Sequence, residues 1–279
     1  MKAVLELYRS EQTRLGAVIL TLVVLIALCA PWLAPADPYA VDPAARLLPP
    51  LSHAAHWHLL GTDSVGRDTL SRLMYGGRVS LAAGFLAVLI SAVVGSLVGA
   101  LSGYFGGWLE IVSGWLIDVQ LSFPFLLLAI FLLGALGGGT IAVVLVLALA
   151  TWVNYARIVR SQVLSIRHQT YVEAARAVGA SQSRILFLHV LPNAMALVSV
   201  VASFSMAQAI LTEAALSFLG VGLDPSTPSW GTMLNDGRDY LQSAWWIATM
   251  PGIAIGITVF GVLSLGEGLR ELLDPRGQR

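Results

Sequence analysis

Ser205, Gln208 and Thr212 recur at helical spacing inside an apolar run and lead to Glu213, so hydroxyl and amide groups share a helix face next to a carboxylate. A stripe of this kind avoids lipid. It suits either hydrogen bonding to a neighbouring helix or the lining of a polar pathway. Asp118, in another apolar run, admits the same two readings, as an interfacial carboxylate or a pathway group. His53, His56 and His58 form a second pattern, and neutral imidazoles so close together are weak candidates for transition-metal ligands. No catalytic residue is assigned, because no nucleophile with a neighbouring base and no acid–base pair stands out. The phosphate-cradling pattern G-x-x-x-x-G-K-[ST] is missing. The glycine-rich stretch Gly134 to Gly139 lacks its lysine and reads as a tight turn between spans.

A third pattern lies in a polar connection. Thr170 and Glu173 have the S/T-x-x-E spacing of a capping box, in which the hydroxyl accepts the amide of Glu173 and the carboxylate reaches back to the amide of Thr170. Ala174, Ala175 and Ala177 continue the helix. Gly179 ends it, since glycine takes the left-handed conformation of a helix C-terminus without a Cβ clash. Ser181 then offers an N-cap for a second short helix to about Val190, which Pro192 is expected to interrupt. The result is a compact helix-turn-helix whose small alanines permit close approach of another surface. It reads as a docking element.

The elements that must position these groups follow from composition. With 57% hydrophobic residues, 11% charged residues and a mean hydropathy of +0.78, the chain is too apolar to solvate its own surface as a soluble domain. A helix crossing about 30 Å of hydrocarbon needs about 20 apolar residues. Apolar runs at Leu15 to Leu33, Val79 to Leu101, Ile117 to Leu136, Ile141 to Val153, Met195 to Leu216 and Trp245 to Leu265 supply about six spans. The fourth is expected to leave the bilayer through Asn154 and Tyr155, and Pro124 is expected to kink the third. The fold is therefore all-α and integral to the membrane, with none of the alternation of a β-barrel. Residues 1–78 hold the first helix and a long loop. Residues 79–279 hold the core, with the helix-turn-helix in a connection at about 154–194.

Arginines and lysines set the orientation. Lys2, Arg9, Arg14, Arg157, Arg160, Arg167, Arg176, Arg184, Arg270, Arg276 and Arg279 fall on one side, which makes both termini and the helix-turn-helix cytoplasmic. Arg46, Arg67, Arg72, Arg78 and Arg238 fall on the other side. There Leu70, Leu73 and Met74, alternating with Arg67, Asp68 and Arg72, predict an amphipathic helix over Arg67 to Tyr75 lying at the outer interface. The formal net charge is zero, which gives nucleic acid nothing to recommend it as a partner. The single Cys29 sits in an apolar run and can form no internal disulfide.

The spacing of Glu173-Ala174-Ala175, Gly179 and Leu191-Pro192 resembles the cytoplasmic signature of bacterial ABC importer permeases, the loop that seats in a cleft of the ATPase subunit. His189, where the general pattern has Ile, resembles the branch that imports dipeptides, oligopeptides and nickel. Leu60-Gly61-Thr62-Asp63, Gly66-Arg67-Asp68 and Arg78-Val79-Ser80-Leu81 resemble that branch's motif before the second span. Ser217-Phe218-Leu219-Gly220, Pro228-Ser229-Trp230-Gly231 and Asp236-Gly237-Arg238 resemble its second outer loop, and Leu273-Asp274-Pro275-Arg276 its end.

The resemblance implies a type I importer permease of the bacterial inner membrane, paired with a homologous permease and surrounded by lipid. It further implies two ATPase subunits, which bind ATP and Mg in place of any cofactor in this chain, and an extracytoplasmic solute-binding protein. Glu173, Ala174, Ala175, Gly179, His189, Leu191 and Pro192 would couple to the ATPase, with alternating access moving peptide inward. Arg67, Asp68, Asp236 and Arg238 would orient the binding protein, or else pair with one another. Nickel or a metal chelate is the alternative cargo. A channel or sensor that needs no ATPase is the alternative of another class.

Overall fold

The computed structural model describes residues 11–53 and 57–273, and it is helical almost throughout. Lys2, Arg9, His56 and the terminal Asp274-Pro275-Arg276 and Arg279 lie outside the described residues. Helices α1 (Glu11–Leu28) and α2 (Ala30–Leu33) open the chain. A loop follows with a hairpin of β1 (Ser52–His53) against β2 (Trp57–His58), a small departure from an all-helical reading. Next come α3 (Thr69–Phe105), α4 (Gly107–Leu121), α5 (Phe125–Leu136), α6 (Thr140–Ile166), α7 (Thr170–Ala177) and α8 (Gln182–Ile185). Helices α9 (Leu191–Phe218), α10 (Trp230–Gly237) and α11 (Trp246–Leu273) complete the described chain.

Five of these helical stretches are long and apolar enough to cross a membrane, and α4 with α5 can supply a sixth, bent by 93° at its break. The third expected run is thus broken rather than merely kinked. Pro124 has no N–H to give the Gln120 carbonyl four residues before it, and α4 is capped at Ser122, whose amide and Oγ both donate to the Asp118 carbonyl, at 3.0 and 2.7 Å. Gln120 then fixes the bent unit to α6: its amide donates to the Leu149 carbonyl at 2.5 Å, and its carbonyl accepts from Trp152 Nε1 at 2.6 Å.

The expected interfacial helix over Arg67 to Tyr75 is instead the first turns of α3. Asp68 caps that helix by accepting from the Ser71 amide at 2.8 Å, and no proline or second cap stops it before Phe105. Its 37 residues give a rod of about 55 Å, longer than a bilayer core. One stripe of α3 is Ser91, Gly95, Gly99 and Gly103, at the four-residue spacing that lets helix backbones meet. A Cβ on Gly95 would lie 2.4 Å from the Trp152 carbonyl oxygen, and one on Gly99 would lie 2.4 Å from that of Ala156. Ser91 Oγ closes the seam on Thr151 Oγ1 at 2.7 Å.

Helix α6 does not end near Tyr155 but runs to Ile166, with Tyr155, Val159 and Val163 fully buried. The connection expected to open near residue 154 is helical for its first part, so the exposed hairpin is shorter than the sequence suggested. At its far end, Pro192 does not interrupt the chain. Leu186–Val190 forms a wide π-turn that joins α8 to α9, and Asn193 Nδ2 satisfies the His189 carbonyl at 2.7 Å. Gly137, Gly138 and Gly139 all have positive φ and make the expected tight turn between α5 and α6.

Candidate functional site

The helix-turn-helix is built on the C-terminal ends of α3 and α6. Val172 of α7 is fully buried and joins Ile185, Leu186 and Val190 in one apolar cluster with Tyr104 and Ile166. Two polar contacts complete the mounting. Tyr104 Oη donates to Gln182 Oε1 at 2.5 Å, and Arg167 Nη1 donates to the Gly103 carbonyl at 2.9 Å. The opposite face is open: Glu173, Ala174 and Ala177 are exposed, and Val178 is 86% exposed at the tip.

Gly179 has φ +82°, and the Ala180 amide bonds back to the Ala175 carbonyl at 3.1 Å, which turns the chain into α8. Ser181 caps α8 through the Arg184 amide at 3.4 Å, as its position suggested. The Thr170–Glu173 capping box does not form. Thr170 is already inside the helix, Gln169 is the N-cap residue, and no side chain caps this end. The Glu173 amide bonds to the Gln169 carbonyl at 3.1 Å, and its side chain is exposed. His189 is half-buried and contributes its carbonyl, which also accepts from Tyr171 Oη at 3.4 Å; Leu191 is half-buried and Pro192 exposed.

The polar stripe of α9 divides. Glu213 is fully buried and accepts from Ser80 Oγ at 2.8 Å, Ser217 Oγ at 2.9 Å and Ser229 Oγ at 3.1 Å, which ties α3, α9 and the loop before α10 together. Thr212 turns inward on its own helix, donating to the Gln208 carbonyl at 2.7 Å. Ser205 and Gln208 instead line a cleft of about 360 Å³ with Asn154 and Arg157 of α6. Sequence reading missed those last two, because it ended α6 just where they stand. Their helical spacing next to an apolar run was the available signal. Asp118 is exposed on α4.

At the opposite end of the bundle, Asp63 Oδ2 accepts from Arg67 Nε at 2.6 Å and from Arg72 Nη1 at 2.9 Å. Asp236 Oδ2 accepts from Arg67 Nη2 and Arg72 Nη2, both at 3.1 Å. These four charges join the loop before α3 to α10. Partial burial, the larger influence, lifts the Asp236 carboxyl above its ordinary range against the pull of Arg67. Asp68 is buried as a helix cap and holds His58 Nδ1 at 2.9 Å, whereas Arg238 stays exposed beside Asp239 at 3.5 Å. His53 packs edge-on against Trp57, with ring centroids 5.1 Å apart. Among the described residues no group of His, Cys, Asp or Glu is arranged to hold a metal ion.

A bundle of five or six apolar spans with a helix-turn-helix mounted on the ends of two of them defines a membrane permease component. The chain belongs to the family of binding-protein-dependent transport system inner membrane components, which matches residues 95–279. Residues 6–50 match the N-terminal transmembrane domain of oligopeptide transport permease C. The chain is 43% identical over 270 residues to a dipeptide transport system permease protein of Escherichia coli, covering 96% of this chain and 90% of that one. It is 42% identical over 263 residues to a di/tripeptide transport system permease protein of Pseudomonas aeruginosa, covering 94% and 87% respectively. The fold matches the inward-facing MetNI methionine ABC transporter with a TM-score of 0.60, 21% identity and coverage of 73% of this chain and 97% of that one. The protein is therefore a multi-pass inner-membrane permease of the type I ABC importer fold.

Proposed function

We propose that this permease carries dipeptides or oligopeptides inward by alternating access, driven by two separate ATPase subunits that bind ATP and Mg. It pairs with a homologous permease and receives peptide from an extracytoplasmic solute-binding protein, with both of its own termini cytoplasmic. The names of the relatives at about 40% identity support the peptide cargo. The observation that carries the mechanism is the helix-turn-helix. Its buried side is fastened to α3 and α6, and its free side presents Glu173, Ala174 and the exposed Val178. A rigid mount with a free apolar tip suits a lever that passes the ATPase stroke to the bundle.

At the other end, the segments 60–78 and 228–240 form the seat for the binding protein. Arg67, Asp68 and Asp236 fix its shape from within, and the exposed Arg238 offers a charge for orientation. The test is purification of this chain co-expressed with its neighbouring transport genes, followed by peptide uptake in liposomes. Retention of ATPase subunits and ATP-dependent uptake are expected; a permease that retains no ATPase and passes solute without ATP is a channel, and the proposal fails.

A further inference from the structure

Arg157, counted above with the cytoplasmic charges, stands on the continuation of α6 in one cleft with Ser205 and Gln208, which fall midway along the apolar run Met195 to Leu216. The cleft holds about 360 Å³ and is lined by Asn154, Arg157 and Ile158 from α6 and by Val201, Phe204, Ser205 and Gln208 from α9. That volume is at the small end of ligand pockets, which run from about 300 to 1,000 Å³. Asn154, Arg157 and Gln208 are all exposed in the isolated chain. The ion pairs among the described residues engage Arg67, Arg72, Arg160, Arg238, Arg270 and His58, but not Arg157. No acidic residue lines the cleft either.

Beside it, the Tyr155 hydroxyl is buried with Ser205 as its polar neighbour. An unmatched cation and two side-chain amides in one place are costly between apolar spans. Such groups mark a route for a polar solute.

We infer that this cleft is a transit site for the free carboxylate of a peptide, with Arg157 as the anchor and Asn154 and Gln208 as partners for the peptide amide. The inference rests on the peptide cargo proposed above. A guanidinium offers a planar fork to a carboxylate, and a primary amide matches a peptide group as both donor and acceptor. Phe204 supplies an apolar wall for a side chain. Because a charge-assisted contact is lost, Arg157→Gln should lower uptake about tenfold, and Arg157→Lys should restore part of it.

The assembled complex in liposomes, with binding protein saturated by a dipeptide or by the same dipeptide amidated at its C-terminus, provides the test. Wild-type complex and R157Q are compared for uptake per ATP hydrolysed. The expected result is that R157Q loses uptake of the free acid while keeping uptake of the amide and ATPase stimulation by loaded binding protein. Equal losses for acid and amide, or no loss for either, overturn the anchor while leaving the importer standing. Failure of R157Q and R157K to retain the second permease overturns it too, since Arg157 then belongs to the subunit interface. As a second measurement, Arg157→Cys in a Cys29→Ser background should recover acid uptake with a cationic thiol reagent and not with an anionic one; recovery with both reagents, or with neither, counts against the anchor. Absence of uptake by the wild-type complex would instead remove the peptide-import reading itself.

Discussion

Ser80 on α3 donates to Glu213 on α9 at 2.8 Å, and the same carboxylate accepts from Ser217 of its own helix and from Ser229, so one buried acid ties α3 and the start of α10 to α9. Glu213→Leu leaves three hydroxyls without their acceptor. At about 1–2 kcal/mol per interhelical bond, the variant is expected to lose several degrees of thermal stability in detergent. Glu213→Gln retains an acceptor and is expected to lose less. Equal melting of the wild type and both variants would remove the structural role.

The glycine seam makes a sharper contrast. A side chain at Gly99 meets the Ala156 carbonyl at 2.4 Å, whereas nothing lies within 4 Å of a Cβ added at Gly114. Gly99→Val forces α3 from α6 and is expected to cost about 1–3 kcal/mol or more. Gly114→Ala is expected to be neutral or slightly favourable, because alanine is the better helix former. Membrane-inserted yield and melting temperature measure both, and a harmless Gly99→Val argues against direct backbone contact along this seam.

Arg72 is only 2% exposed and depends on Asp63 and Asp236 for its counter-charge. Asp63→Asn removes the more buried of the two anions that Arg67 and Arg72 share, and breaking a buried pair costs up to about 3–5 kcal/mol. Asp236→Asn should cost less, since that side chain is 28% exposed and Asp63 remains. The order is read from urea or heat denaturation of the two variants. If Asp236→Asn is the more damaging, Asp236 rather than Asp63 is the principal anion.

Coupling is tested at the tip of the helix-turn-helix. Gly179→Val places a β-branched residue at φ +82° and redirects α8, and Glu173→Lys puts a cation in the first turn of α7, against the helix dipole. Val178→Asp charges an apolar side chain that is 86% exposed. All three are expected to insert normally and to lose most substrate-stimulated ATP hydrolysis. Unimpaired stimulation in all three would show that this surface does not transmit the stroke.

The sequence by itself determined the membrane-spanning helical class, the apolar centres of the spans though not their ends, and the helix-turn-helix with its turn at Gly179. These depend on local quantities: apolar run length, a residue that tolerates positive φ, and a serine cap at Ser181. It also held the seam of Gly95, Gly99 and Gly103 in plain view, but which helix fills a groove is not a local property. Tertiary structure decided the rest. Thr170 lost its cap role because the helix begins one residue earlier than the hydroxyl requires, and Pro192 is absorbed by a π-turn that no spacing rule anticipates. Arg67 and Arg72 were read as the polar side of an amphipathic helix, and it took Asp236, more than 160 residues away, together with nearby Asp63 to hold them in a partly buried cluster. Arg157 joined Gln208 because α6 continues past Tyr155 along α9, and only packing could bring a basic residue of one helix to the polar stripe of another.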